Sequence, residues 1–96
     1  SKLKGMKEYL RKNLNTPDTP AVINTVIRVV KGWVNYHNIS YNKKRVGSFI
    51  ERCKHILLAW FNRRGGKKRM TWDRFTKILR LYQFPRMRDF RTKSML

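Results

Sequence analysis

The chain has 96 residues, enough for one small domain, and its 41% hydrophobic content is near the globular range, which excludes general disorder. Its 24 lysines and arginines against 5 aspartates and glutamates give a formal charge of +19, so a polyanion is the expected partner. A single cysteine, Cys53, excludes an internal disulfide, and no apolar run approaches the ~20 residues of a membrane span.

Apolar residues at helical spacing predict a first helix over residues 2–14 and a second helix over residues 20–39. The NTPDTP segment between them is a helix breaker, with Thr16 or Thr19 as the expected N-cap of the second helix and a proline at its first position. The apolar arc of the second helix covers about half of its circumference, which is wider than a surface helix needs. We therefore expect the second helix to be the central element.

A basic connection, SYNKKRVGS, follows the second helix. From Val46 onward, apolar residues recur at alternating intervals of three and four positions, which predicts a third helix over residues 46–64. The glycine pair of RRGGKKRM ends this helix, and a fourth begins near Thr71 as its N-cap. The final segment, FPRMRDFRTKSML, has no clear period. The sequence thus predicts an all-α bundle of three long helices and a shorter fourth, with a domain at 1–84 and a basic, extended or flexible tail at 85–96.

The acidic residues do not support catalysis, because no two of them fall three or four positions apart. They are Glu8, Asp18, Glu51, Asp73 and Asp89. Neither a carboxylate dyad nor a two-metal site can be assembled locally. Two histidines and one cysteine are also too few for a zinc site. We therefore predict that this chain is not an enzyme and binds neither a metal nor a cofactor.

Basic residues form groups outside the apolar stripes: in the connection before the third helix, around the glycine pair, on the fourth helix and on the polar strip of the second helix. The candidate contacts to nucleic acid are Lys43, Lys44, Arg45, Arg63, Arg64, Lys67, Lys68, Arg69, Arg74, Lys77, Arg80, Arg28, Lys31 and Asn35. The group around the glycines is the strongest, because backbone can approach a phosphate closely there. For any single residue, a solvated surface is the alternative interpretation.

The stretch KGWVNYHN, residues 31–38, interrupts the pattern of the second helix. Gly32 lies at the edge of the apolar arc, and Trp33 is expected to point into the core. Glycine inside a helix costs roughly 1 kcal/mol relative to alanine. We expect close approach of a neighbouring helix, or else of a ligand or another domain, to offset that cost.

This stretch also resembles a known family, the maturase-specific domain, or domain X, of group II intron reverse transcriptases. The resemblance is carried by a G-W-x-N-Y pattern formed by Gly32, Trp33, Asn35 and Tyr36. A second similar block is WFNRR at residues 60–64, followed by a lysine pair and by a helix that opens with Trp72. The resemblance covers roughly residues 6 to 84.

The resemblance implies a thumb-like, RNA-binding segment of a larger reverse transcriptase and maturase. Such a protein binds its structured intron RNA, assists its folding and splicing, and cradles the RNA–DNA template–primer duplex beside a covalently linked polymerase domain. A bacterial cytoplasmic or an organellar location, with no membrane partner, is then expected. The alternatives are a stand-alone basic helical protein that is ribosome-associated or DNA-binding, and a membrane-active amphipathic protein that folds only with anionic lipid.

Overall fold

The computed structural model describes residues 2–37, 43–64 and 69–87, with the side chains of His37 and Lys43 outside the description. The regular elements in this part of the chain are four helices. They are α1 (Lys2–Lys12), α2 (Thr19–His37), α3 (Lys43–Arg63) and α4 (Trp72–Leu81). The all-α prediction is confirmed for these residues. However, α1 has 11 residues and α4 has 10, so two helices are long and two are short, rather than three long and one short.

The connection from α1 to α2 differs from the prediction at both ends. α1 stops at Lys12, because the Asn13 side-chain amide donates to the Tyr9 carbonyl oxygen at 2.8 Å, which competes with continuation of the helix. Asp18, rather than Thr16 or Thr19, caps α2, and its Oδ1 accepts the backbone N–H of Ala21 at 3.2 Å. A carboxylate caps as well as a hydroxyl and also complements the positive end of the helix.

α3 begins at Lys43, three residues before the predicted start, so the predicted basic connection is in part the first helical turn. The prediction placed the start at Val46 because the apolar stripe begins there. A stripe marks only the buried face, and lysine and arginine are good helix formers that extend the helix beyond it. The first turn of α3 contains no acidic residue.

Side-chain and backbone hydrogen bonds fix both ends of α4. Thr71 is the N-cap, as predicted, and its hydroxyl accepts the Arg74 N–H at 3.3 Å. Just before it, the Met70 N–H donates to Asn62 Oδ1 at 2.8 Å, which ties the start of α4 to the end of α3. At the other end, Gln83 has φ 58, and the Phe84 N–H donates to the Leu79 carbonyl oxygen at 2.9 Å, as in a Schellman motif.

This turn directs the chain after α4 back onto the bundle. Phe84 and Pro85 are buried, and Met87 packs against the core and lies beside Gly47. Residues 88–96 lie outside the described residues. The domain limits at 1–84 and 85–96, and a flexible tail, therefore stay predictions, although the described start of that tail is packed.

The core joins all four helices, with α1 and α2 both packed against α3. α3 rather than α2 is therefore the central helix. Cys53 and Leu57 are fully buried and Trp60 is 2% exposed, as their stripe predicts. Trp33 is half-buried at the rim of the core, where its ring stacks on Phe49 with centroids 3.9 Å apart.

Gly32 does not pack as the sequence suggested. It is exposed, and a Cβ added at this position would meet no atom within 4 Å. The expected close approach of a neighbouring helix was wrong for the described residues. Approach by a ligand or by another domain stays a prediction.

Candidate nucleic-acid interface

A cleft beside α4 brings together basic side chains from separate parts of the sequence. Lys31 comes from α2, Lys54 from α3, Arg80 from α4 and Arg86 from the segment after it. Glu51 is the one acidic residue among the described residues that line this cleft, hereafter the α4 cleft. A concave surface with excess charge of one sign concentrates ions of the opposite sign, so the arrangement favours phosphates.

Lys54 is held in place within the α4 cleft. Its Nζ lies 3.0 Å from Glu51 Oε2, and its side chain is 19% exposed against 56% for Glu51. An exposed ion pair of this kind contributes at most about 1 kcal/mol. Glu51 therefore orients Lys54 without preventing it from contacting a phosphate.

The basic surface continues from the cleft along α3. A neighbouring groove shares Glu51, Lys54 and Arg86 with the α4 cleft and adds Lys44 from the first turn of α3. That turn contains no acid, and the amino end of a helix has a partial positive charge of its own. Both contributions favour an anion at this end of α3.

An aromatic ring also lines the α4 cleft. Trp72, the first residue of α4, is 44% exposed. His55 of α3 stacks on it with centroids 5.3 Å apart and an angle of 23°, and Phe75 lies at 5.7 Å. The indole is therefore held in position on the protein side while much of its surface stays accessible.

The structure brings together only part of the predicted set of contacts. Lys31 and Arg80 line the α4 cleft, and Lys44 lies in its continuation. Arg28 instead lines a groove beside Gly32, Trp33 and Tyr36. Five further described members, besides the adjacent Arg63 and Arg64, are exposed at the surface: Asn35, Arg45, Arg69, Arg74 and Lys77. Lys67, Lys68 and the side chain of Lys43 lie outside the described residues.

The adjacent arginines at the end of α3 have different surroundings. Arg63 is exposed, whereas Arg64 is partly buried. Arg64 Nη1 donates to the Leu14 carbonyl oxygen at 3.0 Å, and its guanidinium carbon lies 4.7 Å from the ring centroid of Trp60. Arg64 therefore connects the segment after α1 to α3, which is a role in the fold.

A second basic groove, between α1 and α3, was not predicted as a site. The cations that line it are Lys4, Lys7, Arg11 and Arg63, with Glu8 as an acid that pairs with Arg11 at 3.1 Å. The recurrence of lysine and arginine along one face of α1 was the signal available in the sequence. In the α4 cleft, Arg86 belongs to a basic run of the final segment and Trp72 is an aromatic residue close to basic groups, whereas Lys54 belongs to none of the predicted basic groups. Only the fold places the three side chains together.

Among the described residues, no three His, Cys, Asp or Glu side chains cluster in a way that would hold a metal ion. Within the same ranges, no helix is both long and apolar enough to cross a bilayer. Burial raises the pKa of the Cys53 thiol from 9.0 to about 12, so this thiol is protonated and unreactive at neutral pH.

A comparison with models of protein families gives a match to most of this sequence. The family model described as "Group II intron, maturase-specific domain" matches residues 3–79, well over half of the chain. The match includes the G-W-x-N-Y residues and the cleft residues Lys31, Lys54 and Trp72. No curated protein and no solved structure matches the chain.

Proposed function

The chain belongs to the group II intron maturase-specific domain family, and on that premise we propose that it is the RNA-binding, non-catalytic domain of an intron-encoded reverse transcriptase and maturase. Membership of the family places it in group II intron splicing, with intron RNA as its partner. The proposal adds that the chain contacts this RNA directly and assists its folding. The domain also cradles the template–primer duplex beside a linked polymerase domain. The parent protein acts in a bacterial cytoplasm or in an organelle.

The α4 cleft supports this proposal. Its cations come from α2, α3, α4 and the following segment, so the folded chain presents them as one surface. A-form RNA is recognised largely through its shape, phosphates and 2′-hydroxyls, because its major groove is too deep and narrow for side chains. A rigid helical frame with lysine and arginine along a cleft is suited to that task.

Charge alone does not distinguish the α4 cleft from the groove between α1 and α3. Each is lined by four cations and one acid among the described residues, and in each the acid pairs with a cation three residues away. Trp72 distinguishes them, because the tryptophan in the other groove, Trp60, is 2% exposed. The α4 cleft is therefore the proposed primary contact, and the α1–α3 groove is the alternative surface.

The test compares two triple variants that remove equal charge from the two surfaces. One carries Lys31→Ala, Lys44→Ala and Arg80→Ala in the cleft and its continuation. Each neutralised phosphate contributes ~0.7–0.9 to the slope of log K against log salt. The slope for a structured intron RNA should therefore flatten by about 2 to 3 units if all three side chains contact phosphates.

The matched control carries Lys7→Ala, Arg11→Ala and Arg63→Ala in the α1–α3 groove. It should leave the slope close to that of the unmodified chain, with circular dichroism showing that both variants are folded. If the control variant flattens the slope and the cleft variant does not, the RNA-binding surface is the α1–α3 groove. If neither RNA nor RNA–DNA duplex binds the unmodified chain even at low salt, the proposed function is wrong.

A further inference from the structure

We propose that Trp72 is a stacking platform for an unpaired RNA base, whose neighbouring phosphates lie along the cations of the α4 cleft. This inference rests on the RNA-binding function proposed above and assigns to one residue a contact that phosphate binding does not require.

The position of Trp72 is fixed before any ligand arrives. It is the first residue of α4, directly after the N-cap Thr71, and its carbonyl oxygen accepts the hydroxyl of Thr76 at 2.8 Å. The ring of His55 stacks on the indole at 5.3 Å, and Phe75 supports it at 5.7 Å. A ring held in this way loses little conformational freedom on binding, which favours affinity.

Packing among the described residues does not account for the exposure of Trp72. Trp60 is buried and Trp33 is stacked against Phe49, whereas Trp72 is 44% exposed in the cleft. Stacking of a base on an aromatic side chain needs an accessible face, and it is tolerant of sequence because every base has one. A paired base in A-form RNA already stacks on its neighbours, so the base that can reach Trp72 is an unpaired one in a loop, bulge or end.

The charge of the surroundings decides between a nucleotide and an apolar protein segment as the occupant. Lys54 and Arg80 line the same cleft as Trp72, and four cations outnumber the single acid among its described lining residues. An apolar segment would add no negative charge to balance this excess of cations, whereas a nucleotide brings a base and a phosphate together. The combination of an exposed ring and nearby cations is the one that single-stranded nucleic acid uses.

The experiment uses the full 96-residue chain and two RNA hairpins that differ only in one unpaired purine at a bulge. Trp72→Leu keeps apolar bulk without a π-face, and Trp72→Phe keeps a ring. The unmodified chain should prefer the bulged hairpin. Trp72→Leu should weaken binding of the bulged hairpin about 5- to 100-fold, with little change for the paired hairpin and an unchanged salt slope. Trp72→Phe should retain most of the affinity.

A fluorescence measurement tests the same contact without any variant. A 2-aminopurine placed at the bulge should lose fluorescence on binding the unmodified chain, because it stacks on the indole. Unchanged fluorescence in the bound complex, or equal effects of Trp72→Leu on both hairpins, overturns the stacking proposal and leaves the proposed function standing. Failure of the unmodified chain to bind either hairpin overturns both.

Discussion

The three tryptophans have three different environments, and two of them bear on stability. Trp60 is 2% exposed in the core, whereas Trp33 is half-buried and stacks on Phe49. Trp60→Ala should lower the free energy of unfolding by roughly 3–5 kcal/mol, the range for truncating a buried large aromatic. Trp33→Ala should cost less, about 1–3 kcal/mol, because part of its surface is already in water. Urea unfolding of both variants checks the order, and equal losses would contradict it.

Substitution of Gly32 tests whether a ligand or another domain approaches the backbone of α2 at this position. Because a Cβ there meets nothing within 4 Å, Gly32→Ala should raise the free energy of unfolding by ~0.5–1 kcal/mol. Gly5 in α1 has equally open surroundings, so Gly5→Ala is the matched control. Thermal melts measure the gain. If Gly32→Ala lowers the RNA affinity and Gly5→Ala does not, RNA approaches the backbone at Gly32. If neither variant is more stable than the unmodified chain, the surroundings of these glycines are not open.

Cys53 should make stability depend on pH in the alkaline range. Its folded-state pKa is raised by burial to about 12, above the ordinary value of 9.0. Between these values the unfolded chain releases the thiol proton and the folded chain keeps it. The stability is therefore complete below pH 9 and falls by up to ~1.4 kcal/mol per pH unit as the pH rises toward 12.

Lysines and tyrosines titrate in the same range, so Cys53→Ala is the comparison that isolates the thiol. Urea unfolding at several pH values should give a smaller alkaline loss for Cys53→Ala than for the unmodified chain. Alkylation should also be slow in buffer and fast in urea. Identical alkaline losses would show that the buried thiol does not contribute.

At the scale of elements, the apolar stripes predicted which faces are buried, and local side chains decided where each helix begins and ends. Thr71 was predicted as the cap of α4, because a hydroxyl before an apolar stripe is a specific signal. The cap of α2 was harder, since Thr16, Asp18 and Thr19 all precede the stripe. Only the structure shows that Asp18 accepts a backbone N–H of the helix, whereas Thr16 accepts the N–H of Asp18 itself. The start of α3 was missed because the apolar stripe begins only at Val46, three residues after the helix starts.

Arg63 and Arg64 give a prediction about how the elements are joined. Arg64 donates a hydrogen bond from the end of α3 to the Leu14 carbonyl oxygen and lies over Trp60. Arg64→Ala should therefore lower the free energy of unfolding by about 1–3 kcal/mol. Arg63→Ala changes an exposed residue and should stay within about 0.5 kcal/mol of the unmodified chain. Equal stability of the two variants in urea would mean that the contacts of Arg64 contribute nothing.

At the scale of the whole molecule, the sequence predicted the partner better than the surface that binds it. The charge of +19 is a property of composition and needs no fold to be seen. The α4 cleft, in contrast, joins Lys31, Lys54, Arg80 and Arg86, which span most of the chain. Lys54 lies in the middle of α3, between Cys53 and His55 and outside the predicted basic groups, so no local pattern identified it. A site assembled from distant segments requires the packing of the helices to be known.

The excess of positive charge in the cleft should favour RNA binding and lower the stability of the free chain. Like charges in the cleft repel one another in the folded state. The triple variant Lys31→Ala, Lys44→Ala and Arg80→Ala should therefore be more stable than the unmodified chain at low salt, by about 0.5–1 kcal/mol. The difference should disappear near 1 M salt, where the Debye length is about 3 Å. Thermal melts at several salt concentrations test this, and a variant that is less stable at low salt would contradict it.

The hydrogen bond between Asn62 and Met70 has a consequence for how the chain tolerates added length. It fixes the start of α4 against the end of α3, and Phe75 and Leu79 then anchor α4 in the core. The place of α4 is therefore set by contacts on either side of the connection. The entropic cost of closing a loop rises by only ~0.6 kcal/mol for each doubling of its length. Insertions between Arg64 and Arg69 should accordingly leave the packing of α4 intact, which makes this connection a suitable point for attaching probes.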